Sequence, residues 1–232
     1  MNDDAPKIMV IIPAFNEAGA IGKVINDISE GLVNEVIVVN NNSTDETSEK
    51  AGEAGATVLH ESRQGYGSAC LKGIEYVKSK REKPDIIVFL DADYSDYPEE
   101  MEQLVNPIIE KDYDMVIGSR ALGNREKGSM LPQQVFGNWL ATTLLKLLYG
   151  AKFTDLGPFR AIRFDKLLKI DMRDKNYGWT VEMQLKAAKH KLKFCEIPVS
   201  YRTRTGVSKI TGTVKGTVLA GYKIITTIFK YL

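Results

Sequence analysis

Two aspartates one residue apart, in Asp91-Ala92-Asp93, are the residues of this chain best placed to do chemistry. Carboxylates at that spacing are hard oxygen donors and can hold a divalent cation, magnesium or manganese, against a phosphate. They follow Asp85-Ile86-Ile87-Val88-Phe89-Leu90, an apolar, β-branched run that reads as a buried strand. Tyr94-Ser95-Asp96-Tyr97-Pro98 then forces a turn. Carboxylates at the C-terminal end of an inner strand face the ligand crevice of an open α/β sheet. A solvated turn or helix cap is the bland alternative, and the preceding strand argues against it.

Other residues could serve phosphate chemistry. Arg63-Gln64-Gly65-Tyr66-Gly67 opens a helix, where backbone N–H groups and Arg63 could reach an anion; a plain turn fits the same residues. Arg120 follows a strand and suits bidentate phosphate binding, with a structural ion pair as the alternative. Arg202, Arg204, Ser208 and Lys209 form a basic loop interrupted by Gly206. Asp155 and Glu182 are the candidate general bases for a hydroxyl acceptor; turn capping and a helix N-terminus explain them equally well. Tyr177 and Trp179 could floor a sugar site, although core packing is the commoner fate of such rings.

The elements that must position these residues alternate. Strands are expected at Ile8–Ile12, Glu35–Val39, Thr57–His60, Asp85–Leu90, Asp114–Gly118 and Phe194–Val199. Helices are expected at Ala18–Glu30, from Ser43 to about Ala54, from Gly65 to about Lys80, and at Pro98–Glu110, Val135–Tyr149 and Thr180–His190. Residues 123–134, with Gly123, Gly128 and Pro132, read as a mobile loop. Repeated strand–helix units imply an α/β fold, a doubly wound, mostly parallel, Rossmann-like sheet flanked by helices in a single domain. Residues 1–212 form its body. Residues 213–232 form a C-terminal helix of the same domain, with Val214, Val218, Tyr222, Ile225, Phe229 and Leu232 on one face. That helix could lie on a membrane surface, pack on the core or form a dimer seam, and the residues alone leave all three open.

Composition sets the outer bounds. The 232 residues are 44% hydrophobic and 26% charged, enough for one full core, and no apolar run reaches bilayer-spanning length. With 2 Cys and 2 His, a disulfide framework or a Cys/His metal site is not expected, so any metal should be oxygen-bound. The acidic opening Met1-Asn2-Asp3-Asp4 lacks the basic start of a signal peptide, so a cytoplasmic setting is expected. From Lys186 onward ten bases face one acid, Glu196, so the net +1 divides into +9 at this end and −8 elsewhere. Such a basic end suits anionic lipid or polyanion contact, or is simply a solvated surface. A nucleic-acid partner is not expected.

Pro13-Ala14-Phe15-Asn16-Glu17 after the first strand, Asn40-Asn41-Asn42-Ser43-Thr44-Asp45-Glu46-Thr47 after the second and Asp91-Ala92-Asp93 after a later one resemble family 2 glycosyltransferases of the GT-A fold. Within that family, Gly118-Ser119-Arg120, the stretch from Thr154 to Ala161 and the stretch from Tyr201 to Lys209 resemble the polyprenyl-phosphate mannose and glucose synthases. The resemblance spans Ile8 to about Thr213, and no Gln-x-x-Arg-Trp motif of processive synthases follows. It implies a metal-dependent, inverting hexosyltransferase. The donor would be a UDP- or GDP-sugar, and the acceptor a polyprenyl phosphate at the inner membrane face. It assigns Pro13, Phe15, Glu17 and Asn41 to the nucleoside pocket, Asp91 and Ala92 to the donor, and Asp91 and Asp93 to the metal. It makes Arg202 a phosphate contact and Arg204, Ser208 and Lys209 part of a lid that closes over the donor. Asn40-Asn41 stands where the family usually has Asp-Asp, which leaves uridine or guanosine open. A hydroxyl acceptor with the same donor, or a non-catalytic nucleotide-sugar binder, are the alternatives.

Overall fold

The computed structural model describes residues 5–206 and 214–232 of the protein. Among them, β1 (Ile8–Ala14), β2 (Glu35–Asn40), β3 (Thr57–His60), β4 (Ile86–Phe89), β5 (Met115–Ser119), β6 (Arg160–Arg163) and β7 (Phe194–Pro198) form one sheet. Its order is β3-β2-β1-β4-β6-β5-β7, parallel except that β6 runs antiparallel to both β4 and β5. The connecting helices are α1 (Ile21–Asn26), α2 (Thr47–Glu53), α3 (Tyr66–Ser79), α4 (Met101–Lys111), α5 (Pro132–Tyr149), α6 (Phe164–Ile170), α7 (Trp179–Lys189) and α8 (Val214–Lys230).

Every residue of β1 is buried, because helices cover both faces of the sheet. Met9 and Ile11 point into a core with Ala69 and Val77 of α3 and Trp179 of α7; Ile8, Val10 and Ile12 point into a core with Val24 of α1 and Leu104 of α4. This is the period of two expected of a strand. β1 pairs with β2 on one side and β4 on the other. The chain order reverses between β1 and β4, and that reversal opens a crevice at their C-terminal ends. The acid pair follows β4 directly.

Four elements differ from the sequence expectation. β6 and α6 were not foreseen, since Arg160-Ala161-Ile162-Arg163 is short and bracketed by charge. It is nevertheless inserted between β4 and β5, which are not neighbours. α5 begins at Pro132, inside the stretch read as a loop, because proline is well suited to the first turn of a helix. α1 is shorter than expected, ending at Asn26.

α8 packs against α5 and α7, burying Thr227 and Ile228, and Tyr149 donates a 2.5 Å hydrogen bond to the carbonyl of Ile228. The apolar face read from the sequence is the other one: Val218, Tyr222, Ile225, Phe229 and Leu232 are exposed. α5 beside it exposes Phe136, Trp139 and Leu147.

Glycines calibrate how closely these layers meet. A Cβ on Gly73 of α3 would lie 2.6 Å from Cγ2 of Ile11 in β1, whereas one on Gly22 of α1 would meet nothing within 4 Å. Gly73→Ala should therefore destabilise by about 1–3 kcal/mol despite alanine's helix preference. Gly22→Ala should stabilise by about 0.5–1 kcal/mol. Denaturant melts of the two variants check the opposite signs.

Candidate active site

Three strand ends converge on the acid pair. β1 leads into Phe15 and Glu17, β2 into Asn41, and β4 into Asp91, Ala92 and Asp93. With Gly65 and Tyr66 at the start of α3, and Asn176 and Tyr177 ahead of α7, they line a cavity of about 520 Å³. A second cavity of about 290 Å³ runs from the same acids toward α5 and α8, past Arg120, Asn138, Leu156 and Ile224. Asp91, Asp93, Tyr66, Asn176, Tyr177 and Arg204 line both, so the acids stand at the junction.

The acids are held apart in role. Asp93 is buried, and its Oδ1 accepts the backbone N–H of Ser95 at 2.9 Å and the Ser95 hydroxyl at 2.5 Å. Tyr94 between them adopts φ 64°, the left-handed turn that folds the chain back onto the carboxylate. Oδ2 of Asp93 faces Nη1 of Arg204 at 3.1 Å, and Nη2 of Arg204 donates to Glu17 at 2.8 Å. Asp91 accepts the Tyr66 hydroxyl at 3.0 Å. Lost hydration at the cavity floor, then the charge of Asp93, push the Asp91 carboxyl up to about 7. The same burial and the charge of Asp91 raise the Tyr66 phenol well above its usual value, so it stays a proton donor to Asp91.

Pro13, Phe15, Glu17, Asn41, Asp91, Ala92 and Asp93 all line the first cavity. Asn41, however, spends its amide on the protein. Both Nδ2 hydrogen bonds go to the carbonyls of Glu61 and Arg63, at 3.0 and 2.8 Å, and its Oδ1 accepts the N–H of Gly65 at 2.7 Å. It builds the wall of the pocket, and its donors are not available to read a base edge. The Arg63 side chain is exposed and lines neither cavity.

Arg120 lines the second cavity. Asp155, read from the sequence as a candidate base, instead anchors it. Fully buried, Asp155 accepts Arg120 N, Nε and Nη2 at 2.8, 2.7 and 2.7 Å. Glu182, the other candidate, is also fully buried and off both cavities; it accepts the backbone N–H groups of Arg173 and Asp174 and pairs with Lys186 at 2.8 Å. Neither carboxylate can reach a substrate proton, which corrects both assignments. Arg202 is likewise turned away: it stacks on Tyr94 and Tyr97, 3.4 and 4.2 Å from their ring centroids, and donates to the carbonyls of Tyr94 and Asp96. Its neighbour Arg204 takes the place at the acids. Lys209 and Ser208 lie outside the described residues.

Tyr66, Asn176 and Arg204 were the site residues least visible in sequence. The Gly65-Tyr66-Gly67 run and the basic loop holding Arg204 gave the only signals, and the glycines of the former turn out to serve close packing. A Cβ on Gly67 would lie 2.0 Å from the carbonyl of Asp174.

A model of glycosyl transferase family 2 matches residues 9–171. The chain belongs to that family. It is 33% identical over 215 residues to a low-salt glycan biosynthesis hexosyltransferase of Haloferax volcanii, covering 90% of this chain and 51% of that one. It is 27% identical over 222 residues to the undecaprenyl-phosphate mannosyltransferase of Micrococcus luteus, covering 90% of each. In structure it resembles glucosyl-3-phosphoglycerate synthase of Mycobacterium tuberculosis, crystallised with Mn2+, UDP and glucosyl-3-phosphoglycerate. The TM-score is 0.74 at 22% identity, over 97% of this chain and 80% of that one. The shared architecture is the GT-A fold.

The acids of this family 2 glycosyltransferase fit a hard divalent cation. They are two oxygen donors, Asp91 raised by lost hydration and then by the charge of Asp93, and the guanidinium of Arg204 already supplies positive charge to Asp93. Asp93→Asn should lower sugar transfer by about 10²-fold or more with an unchanged thermal melt; wild-type rates of nucleoside diphosphate release would show that the carboxylate carries no such role.

Proposed function

We propose that the enzyme transfers a hexose from a UDP- or GDP-sugar to a polyprenyl phosphate, by one inverting displacement, at the cytoplasmic face of a membrane. The second cavity carries this reading. It begins at the acid pair with Arg120 on its wall and ends among residues of α5 and α8, whose outward faces are apolar. Among its described lining residues the only carboxylates are Asp91 and Asp93. A hydroxyl acceptor needs a base within hydrogen-bond reach. A phosphate monoester, with a second pKa of about 6, arrives as a dianion and attacks unaided.

On this reading the nucleoside occupies the first cavity between Phe15, Glu17 and the wall built by Asn41. Asp91 and Asp93 would hold magnesium or manganese, which supplies Lewis-acid neutralisation of the donor diphosphate. Arg120, fixed by Asp155 with its Nη1 unengaged among the described residues, would hold the acceptor phosphate. An acceptor oxygen forms the new bond at the anomeric carbon as the bond to the β-phosphate oxygen breaks, and the nucleoside diphosphate leaves with that electron pair. Tyr177, Leu156 and Ile224 line the second cavity, where their apolar surface would limit competing water.

The apolar faces would seat the enzyme on lipid, with Phe136 and Trp139 5.8 Å apart on α5 and Tyr222 and Phe229 exposed on α8. Among the described residues no helix is long and apolar enough to cross a membrane. Lys146 and Lys230, both exposed, suit anionic headgroups. Undecaprenyl phosphate is also the acceptor in the name of the Micrococcus luteus relative.

A short-chain polyprenyl phosphate should raise cation-dependent nucleoside diphosphate release from the matching UDP- or GDP-sugar by about tenfold or more. Stimulation by a hydroxyl compound alone would move the acceptor class. Trp139→Ser combined with Tyr222→Ser should reduce sedimentation with anionic liposomes while leaving the melt unchanged; undiminished sedimentation would remove the lipid seat.

A further inference from the structure

The loop 173–178 ahead of α7 supplies Asn176 and Tyr177 to both cavities, and two buried carboxylates set its shape. Oδ1 of Asp174 accepts the backbone N–H groups of Asn176 at 2.8 Å and Gly178 at 3.1 Å. Glu182 accepts the N–H groups of Arg173 and Asp174, the latter at 2.7 Å. Neither carboxylate contacts the cavities. Each is gripped from the other side by the C-terminal helix region: Lys223 of α8 pairs with Oδ2 of Asp174 at 2.9 Å, and the hydroxyl of Tyr231 donates to Glu182 at 2.6 Å.

The approach is close enough to leave room only for glycine at 178. A Cβ there would lie 2.6 Å from both Oδ2 of Asp174 and Oγ1 of Thr227 in α8. On its far side the loop meets the donor cavity: Ser68 N donates to the carbonyl of Lys175 at 3.0 Å, and a Cβ on Gly65 would sit 2.1 Å from that carbonyl oxygen. Tyr66, between these residues, donates to Asp91. One contiguous set of contacts thus runs from α8, through Asp174 and Glu182, to the acid pair.

We infer that Asp174 and Glu182 are positioning residues for sugar transfer, and that Lys223 and Tyr231 hold them in place. α8 is then both the surface offered to lipid under the function proposed above, on which this inference rests, and part of the support of the transfer site. Tyr177 and Asn176 stand where donor and acceptor meet, while the nucleoside lies toward Phe15. Loosening the loop should therefore slow transfer and spare nucleotide binding.

The test uses the full chain in detergent without vesicles, so that lost lipid contact by Lys223 cannot mimic the effect. Lys223→Gln should lower kcat by about fivefold, leave nucleoside diphosphate affinity within about twofold, and speed backbone amide hydrogen exchange across residues 173–178. Asp174→Asn, which keeps an acceptor oxygen, should do the same. The double variant should be no worse than either single one, as expected of groups acting through one contact, and Lys223→Arg should restore both readouts. Additive losses, unchanged exchange over 173–178, or a kcat loss shared equally by nucleotide affinity would overturn the inference. Hydrogen exchange and nucleotide affinity need no acceptor, and kcat can be read from donor hydrolysis. A failure of the lipid-phosphate reading is thereby distinguished from a failure of the positioning role.

Discussion

Two carboxylates one residue apart in a recessed cleft repel each other, and most of the surrounding structure answers that repulsion. Asp93 is turned back onto Ser95 by a left-handed residue at Tyr94, Asp91 is capped by a phenol, and Arg204 bridges Asp93 to Glu17. Without those partners the cost of confining two like charges would be met by protonation or by unfolding of the turn. The strand β4 and its buried neighbours fix the backbone so that the pair cannot separate. A cation of charge two is the partner such a pair lacks most.

A second tier of buried charge supports the first without touching the cavities. Asp155 holds Arg120 by two side-chain hydrogen bonds and one from the backbone, and Glu196 accepts the N–H groups of Thr154 and Asp155 to fix that turn. Arg160, fully buried, is satisfied by the carbonyls of Leu156, Gly157 and Thr180, and burial brings its guanidinium down to about 10. Removing one member of such a buried set costs about 3–5 kcal/mol, because the other is left uncompensated. These residues therefore belong to stability as much as to catalysis. An acid standing in a motif turn is thus no guide to a base.

The fold and the acid pair were legible in sequence because both rest on local pattern. The β-branched run before Asp91 and the turn after it place the acids without any long-range information. Failures came where the deciding partner lay far along the chain. Asp155 and Glu182 looked like bases because nothing local announces Arg120 or the 173–174 backbone as their partners. Arg202 and Arg204 are two residues apart and chemically alike, and only the stacking of Arg202 on Tyr94 and Tyr97 decides which of them reaches Asp93. For α8 the apolar periodicity was plain, yet it marked the exposed face; the packed face uses Thr227, Ile228 and Tyr231 with polar contacts that hydrophobicity does not register.

Identification of the leaving nucleotide together with the anomeric configuration of the lipid product tests the central claim most directly. Direct attack by a phosphate dianion at the anomeric carbon predicts free nucleoside diphosphate and an acid-labile glycosyl phosphate with its configuration inverted relative to the donor. Release of nucleoside monophosphate, retention of configuration, or a sugar attached through a hydroxyl oxygen would contradict it.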